Sequence, residues 1–128
     1  MSFSYPKKEK LKSRTVIDLL FTKGKSVSKY PLRLAFIENG NESETPIINF
    51  GVSVSKKYFK KAVDRNYIKR VLRECYRLNK HLIHDNAQKS YALMFLYQSK
   101  EPVDFHEINA KTVLLFEKFI SAIAEKQK

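Results

Sequence analysis

KKYFKKAVDRNYIKRVLRECYRLNK, residues Lys56 to Lys80, reads as a turn followed by an amphipathic helix. From about Val63 nothing breaks a helix, and Ala62, Leu72 and the Lys, Arg and Glu residues favour one. At roughly 100° per residue, Asn66, Lys69, Arg70, Arg73, Arg77 and Lys80 share one stripe. Ile68, Val71, Leu72, Cys75, Asn79 and Leu82 share the opposite one. The apolar stripe is expected on a core and the basic stripe in solvent. Ten Lys/Arg against Asp64 and Glu74 give this segment +8 of the chain's +12, whereas residues 1–55 contribute +4 and residues 81–128 balance to zero. Like charges three and four residues apart repel by roughly 0.2–0.5 kcal/mol per pair. A helix built only for solubility would intersperse acids, so this charge points to a polyanionic partner.

The flanks supply strands. Upstream, IINFGVSVS (Ile47–Ser55) sets Ile48, Phe50, Val52 and Val54 on one face and Asn49, Gly51, Ser53 and Ser55 on the other. A face of small and polar residues lets another chain's backbone approach closely, and a solvent-facing strand explains it equally well. Downstream, YALMFLY (Tyr91–Tyr97) is a continuous apolar run suited to a strand covered on both faces. Strand, helix and strand in this order make a βαβ unit with the basic helix as crossover.

Farther out, Lys25–Glu38 is extended, with Leu32, Leu34 and Phe36 alternating against Arg33, Ala35 and Ile37, and with Pro31 at a strand start or edge. Asn39-Gly40-Asn41 marks a turn that Glu42–Thr45 lengthens. Ser13 is the expected N-cap of a helix ending at Lys23, with Gly24 as its C′ residue. Val16, Ile17, Leu20 and Phe21 form its apolar side; Phe21 at the end either packs inward or stands open as a stacking platform. Asp104 and Glu107 have capping-box spacing, and Ile108, Thr112, Leu115, Phe116, Phe119 and Ile123 make the stripe of a last helix. The order is α-β-β-(β)-α-β-α, with a short extra strand around Lys25–Ser28. The expected fold class is α+β, a two-layer sandwich of sheet and helices. Residues 1–128 form one domain, with 1–12 and 125–128 mobile.

Several chemistries are excluded. Cys75 is the single cysteine and lies on the apolar stripe, so it is an inert buried thiol and not a nucleophile. No apolar run follows Lys7, Lys8, Lys10 and Lys12, and nothing approaches a membrane span, so the chain is expected in the cytoplasm with no membrane partner. His81-x-x-His84 lacks further Cys or His partners for a zinc site. No Gly-rich phosphate loop, nucleophile elbow or His-Glu-x-x-His occurs, and Asp18, Asp64, Glu74 and Asp104 lie on different elements. No catalytic or metal-ligating residue is expected. DNA readers usually carry a helix-turn-helix, zinc finger or basic zipper, and none is present. A basic helix beside a sheet with small and aromatic residues suits folded RNA.

Phe50-Gly51-Val52-Ser53-Val54-Ser55-Lys56-Lys57, followed by Ala62-Val63-x-Arg65-Asn66-x-Ile68-Lys69-Arg70-x-x-Arg73-Glu74, resembles the signature of the bacterial ribonuclease P protein component. The likeness extends outward over nearly the whole chain, through Leu11–Gly24 as first helix, YPLRLAF as next strand and YALMFLY as last. It implies a left-handed βαβ crossover, against the usual right-handed rule. It further implies a partner RNA that uses Mg²⁺, held mainly by the RNA, to cleave the 5′ leader from precursor tRNA. By the resemblance, Lys56, Lys57, Arg65, Asn66, Lys69, Arg70 and Arg73 contact RNA, and Arg77 continues their stripe. The leader would run through a cleft of first helix and sheet: Phe21, Ser53 and Ser55 match cleft positions, Ile17 and Ala35 stand where aromatics are common, and Arg33 offers a phosphate contact. Tyr67 departs from the pattern, replacing the second Arg of an Arg-Asn-Arg, and Tyr58–Lys61 replaces a shorter Gly-Asn turn. Two rivals remain: a ribosomal or assembly RNA-binding protein unconnected with cleavage, and a protein-only nuclease.

Overall fold

The computed structural model describes residues 14–38, 48–87, 89–101 and 103–126. The expected cap at Ser13, the expected turn at Asn39-Gly40-Asn41 with its Glu42–Thr45 extension, and the start expected to be mobile at 1–12 lie outside the described residues, as do 127 and 128 of the tail expected to be mobile.

One sheet organises the chain. Strands β1 (Lys25–Lys29), β2 (Leu32–Glu38), β3 (Ile48–Val54) and β4 (Tyr91–Tyr97) lie in the order β1-β2-β4-β3. β2 pairs antiparallel with β1 and β4, and β3 runs parallel to β4. The apolar run of β4 follows from that position. A strand with neighbours on both sides and helices over both faces has no place for a polar side chain. The extended reading of Lys25–Glu38 divides at the cis Tyr30–Pro31 peptide into β1 and β2, with Pro31 just before β2 as its missing N–H prefers.

Alternation of side chains along the strands separates two cores. Leu34, Phe36, Phe50, Leu93 and Phe95 join residues of helices α2 (Ala62–Asn79) and α4 (Phe105–Lys126) in the main one. On the opposite face, Leu20 of helix α1 (Arg14–Thr22) packs with Ala35, Ala92 and Met94. Sheet and α2/α4 make the expected two layers, and α1 covers part of the far face.

Within the main core Phe50 stacks on Tyr76 with ring centroids 3.7 Å apart and planes 11° from parallel. The Tyr76 hydroxyl lies 3.0 Å from His84 Nε2 on the short helix α3 (His81–His84), which gives this buried phenol a polar partner. Asn79 Nδ2 donates to the Cys75 carbonyl at 2.8 Å and to Asn109 Oδ1 at 2.7 Å, tying α2 to α4.

Three expectations need correction. Lys80, placed in solvent by the α2 stripe, is only 7% exposed, because α2 stops at Asn79 and the chain turns into α3. Glu107 does not complete a capping box, since its carboxylate takes Lys111 Nζ at 3.0 Å. α4 extends to Lys126. α1 ends at Thr22, a residue earlier than Lys23, and Gly24 N–H donates to the Leu19 carbonyl at 3.0 Å. A Cβ at Gly24 would stand 2.4 Å from the Leu20 carbonyl oxygen, so the end of α1 requires glycine there.

Candidate nucleic-acid interface

α2 presents its basic stripe because the opposite stripe is consumed by the core. Ile68, Val71, Leu72 and Cys75 are buried, with Tyr76 and Asn79 beside them. Asn66, Arg70 and Arg73 are exposed, and Lys69 is half-buried. Two other cations of this helix hold the protein's own structure. Arg65 Nη1 donates to the carbonyls of Phe59 and Lys60, both at 2.8 Å, and so clamps the turn that leads into α2. Arg77 forms a two-pronged pair with Glu74, Nε donating to Oε2 at 3.0 Å and Nη2 to Oε1. The same hydrogen bonding from Arg77 holds the Glu74 carboxyl below the usual carboxylate range. Four exposed lysines precede the helix: Lys56, Lys57, Lys60 and Lys61. Ser55 Oγ accepts the Lys57 N–H at 3.1 Å, so this serine shapes the turn that carries the first basic pair.

The far face of the sheet offers a different surface. Its rows run across the strands as Ser28, Arg33, Leu96 and Ser53, then Ser26, Ala35, Met94 and Gly51. α1 lies over Ala35, Ala92 and Met94 and leaves Arg33 exposed. β3 is an edge strand, and its Asn49, Gly51 and Ser53 are half-buried on this side. Phe21 stands at the end of α1 with 59% of its surface open, while its neighbour Leu20 is buried. Ile17 is half-buried against the small core. Ala35 is 5% exposed beneath α1, so it cannot meet a ligand directly. Its small side chain instead lets the helix sit close to the sheet.

The ribonuclease P family model matches residues 5–120. The chain belongs to the ribonuclease P protein family. The ribonuclease P protein component of Porphyromonas gingivalis is 41% identical over 110 residues, covering 84% of this chain and 80% of that protein. That of Dictyoglomus thermophilum is 30% identical over 116 residues, covering 91% and 92%. The ribonuclease P protein of Thermotoga maritima has a similar structure, with a TM-score of 0.66 and 30% identity over 85% of this chain and 96% of that one. The Staphylococcus aureus protein shares the fold, with a TM-score of 0.67 at 23% identity over 87% and 94%.

As a ribonuclease P protein component, the chain brings its expected RNA-facing residues onto two elements rather than one. Lys56 and Lys57 lie on the turn after β3, and Asn66, Lys69, Arg70 and Arg73 on α2; Arg65 and Arg77 are tethered to protein groups. Sequence reasoning missed Lys60 and Lys61 as part of this surface, although both are basic and next to the helix start. It also missed an apolar cavity beside Tyr67. The signal for that was available, since Asp64, Tyr67 and Ile68 are three and four residues apart on one helical side.

Proposed function

We propose that this chain grips a catalytic RNA through the outer stripe of α2 and the lysine turn before it, and holds the single-stranded 5′ leader of precursor tRNA on the far face of the sheet. The observation that carries the reading is Phe21, left open at the end of α1, the helix whose Leu20 packs on that face. A ring with more than half of its surface in solvent leaves a free apolar face, and an unpaired base gains roughly 1–3 kcal/mol by stacking on such a platform. Arg33 supplies charge on the same face, and Ser53 and Gly51 allow a backbone to approach closely.

Arg70 and Arg73 neutralise phosphates of the catalytic RNA in this scheme, and Lys56, Lys57, Lys60 and Lys61 extend the track towards the end of β3. The hydrolytic step belongs to the RNA with its Mg²⁺. Among the described residues no three His, Cys, Asp or Glu side chains gather as a metal-binding set. Its contribution is binding and positioning, which keeps substrate affinity high when Mg²⁺ is scarce. Among the described residues no helix is long and apolar enough to cross a membrane, and we assign the protein to the cytoplasm together with its tRNA substrate.

The test is cleavage of a precursor tRNA at low Mg²⁺ by catalytic RNA alone, by protein alone and by both. The expected result is activity only in the mixture. Cleavage by protein alone would place the chemistry in this chain. No stimulation by the protein of a matched RNA would favour a ribosomal or assembly role.

A further inference from the structure

The first turns of α2 wall a cavity that belongs to neither surface above. It has a volume of about 270 Å³ and is lined by Phe59, Asp64, Tyr67, Ile68 and Val103. Phe59 comes from the turn before α2, and its ring lies 6.1 Å from that of Tyr97. Ile68, 2% exposed, closes the inner end, while Tyr67 stands at the mouth with 54% of its surface open. That volume falls just under the roughly 300–1,000 Å³ of drug-sized ligand sites, so it suits one flat ring system.

An exposed tyrosine over an apolar slot is not accounted for by the protein's own packing. Its setting is cationic: Lys60 and Lys61 lie just before the helix, and Arg70 follows Tyr67 by one turn, all exposed. Asp64 is the one carboxylate of the lining, and an ionised carboxylate only accepts hydrogen bonds. An aromatic wall, an apolar floor, an acceptor at the edge and phosphate-binding cations around it match a base pulled out of its stack. We propose that this cavity receives one unpaired nucleobase of the catalytic RNA, stacked on Tyr67 with its amino edge towards Asp64. The proposal rests on RNA being the partner of α2. It makes the start of that helix a base-reading element and its middle a phosphate-binding one.

The chain contains no tryptophan, so Tyr67→Trp installs a single selectively excitable fluorophore at the cavity. Saturation with catalytic RNA should quench its emission. Tyr67→Ala should weaken RNA binding by about 5- to 150-fold with the salt dependence unchanged, and Tyr67→Phe should bind like wild type. Asp64→Asn separates two signs. Removing a negative charge from an RNA-facing surface tightens binding by itself, whereas losing an acceptor for a base amino group weakens it, and weakening is expected. Unquenched emission at saturation, or wild-type affinity in Tyr67→Ala, would overturn the proposal while leaving the RNA partnership standing. Tightening in Asp64→Asn would remove the carboxylate from the site. Wild-type protein that does not bind the catalytic RNA at all would sink both readings together.

Discussion

Arg65 and Arg70 lie on the same helix, five residues apart, and do different work. Arg70 is exposed, whereas Arg65 donates to two carbonyls of the preceding turn. Arg70→Ala should therefore weaken RNA binding and flatten its salt dependence by about 0.7–0.9 in the log–log slope, the share of one phosphate. Arg65→Ala should instead lower the stability of the free protein by about 1–3 kcal/mol, because it strips a donor from two carbonyls. Salt titrations and chemical denaturation of both variants separate these roles; equal slopes in Arg70→Ala and wild type would remove Arg70 from the interface. The resemblance put both arginines on one footing as RNA contacts, although helical spacing placed only Arg70 on the outer stripe, and neither reading reports carbonyls that fold back beneath a side chain. Cys75 was legible from its stripe. Burial pushes its thiol up to about 11 from the ordinary 9.0, with a hydrogen bond to Thr112 opposing the shift. The folded state thus keeps a proton that the unfolded chain releases. The associated stability is fully present below pH 9 and is lost as pH rises towards 11. Burial also raises Tyr91 and Tyr97, which add to the same alkaline loss. Denaturation midpoints should fall across that window, less steeply in Cys75→Ala.

At the scale of elements, α1 packs on the smaller of the two cores. It packs through Leu20 and Ile17 on a cluster with Ala35, Ala92 and Met94, whereas α2 and α4 share the large aromatic core. Leu20→Ala should loosen α1 alone, raising amide exchange over its backbone while α2 and α4 keep their protection. Uniform loss of protection across all three helices would show α1 to be part of the cooperative core. Phe21→Ala, which leaves that docking intact, should weaken leader-bearing substrate more than mature tRNA, by roughly 1–3 kcal/mol. Equal losses for both RNAs would take Phe21 out of the leader site. The amphipathic pattern of α1 was plain in the sequence, yet a stripe states only that a helix packs, not on which face of which sheet. The same limit explains Ala35. Its alternation with Leu34 and Phe36 placed it correctly on the far face, and only the docking of α1 shows that it is floor and not contact surface.

Across the whole molecule, the alternating and continuous apolar runs were enough to read the α+β class and the βαβ unit. They could not order the strands. Periodicity reports the faces of a strand and is silent about its neighbours, so the insertion of β4 between β2 and β3 had no signature beyond its unbroken apolar run. That insertion governs how the chain comes into being. β4 is the last strand to be synthesised and the one that pairs with both β2 and β3, with Ile48 waiting for Tyr91 and Leu34 for Phe95. While translation is still short of Tyr97, β2 and β3 have no common neighbour, and the +8 segment at Lys56–Lys80 has already been made. The sheet can therefore be completed only after most of the chain's charge has been synthesised. A chain cut after Ser90 should show no cooperative unfolding transition by circular dichroism. Completing the sheet leaves the stripe of α2 exposed, so the charge that is made first remains open to polyanions in the finished fold.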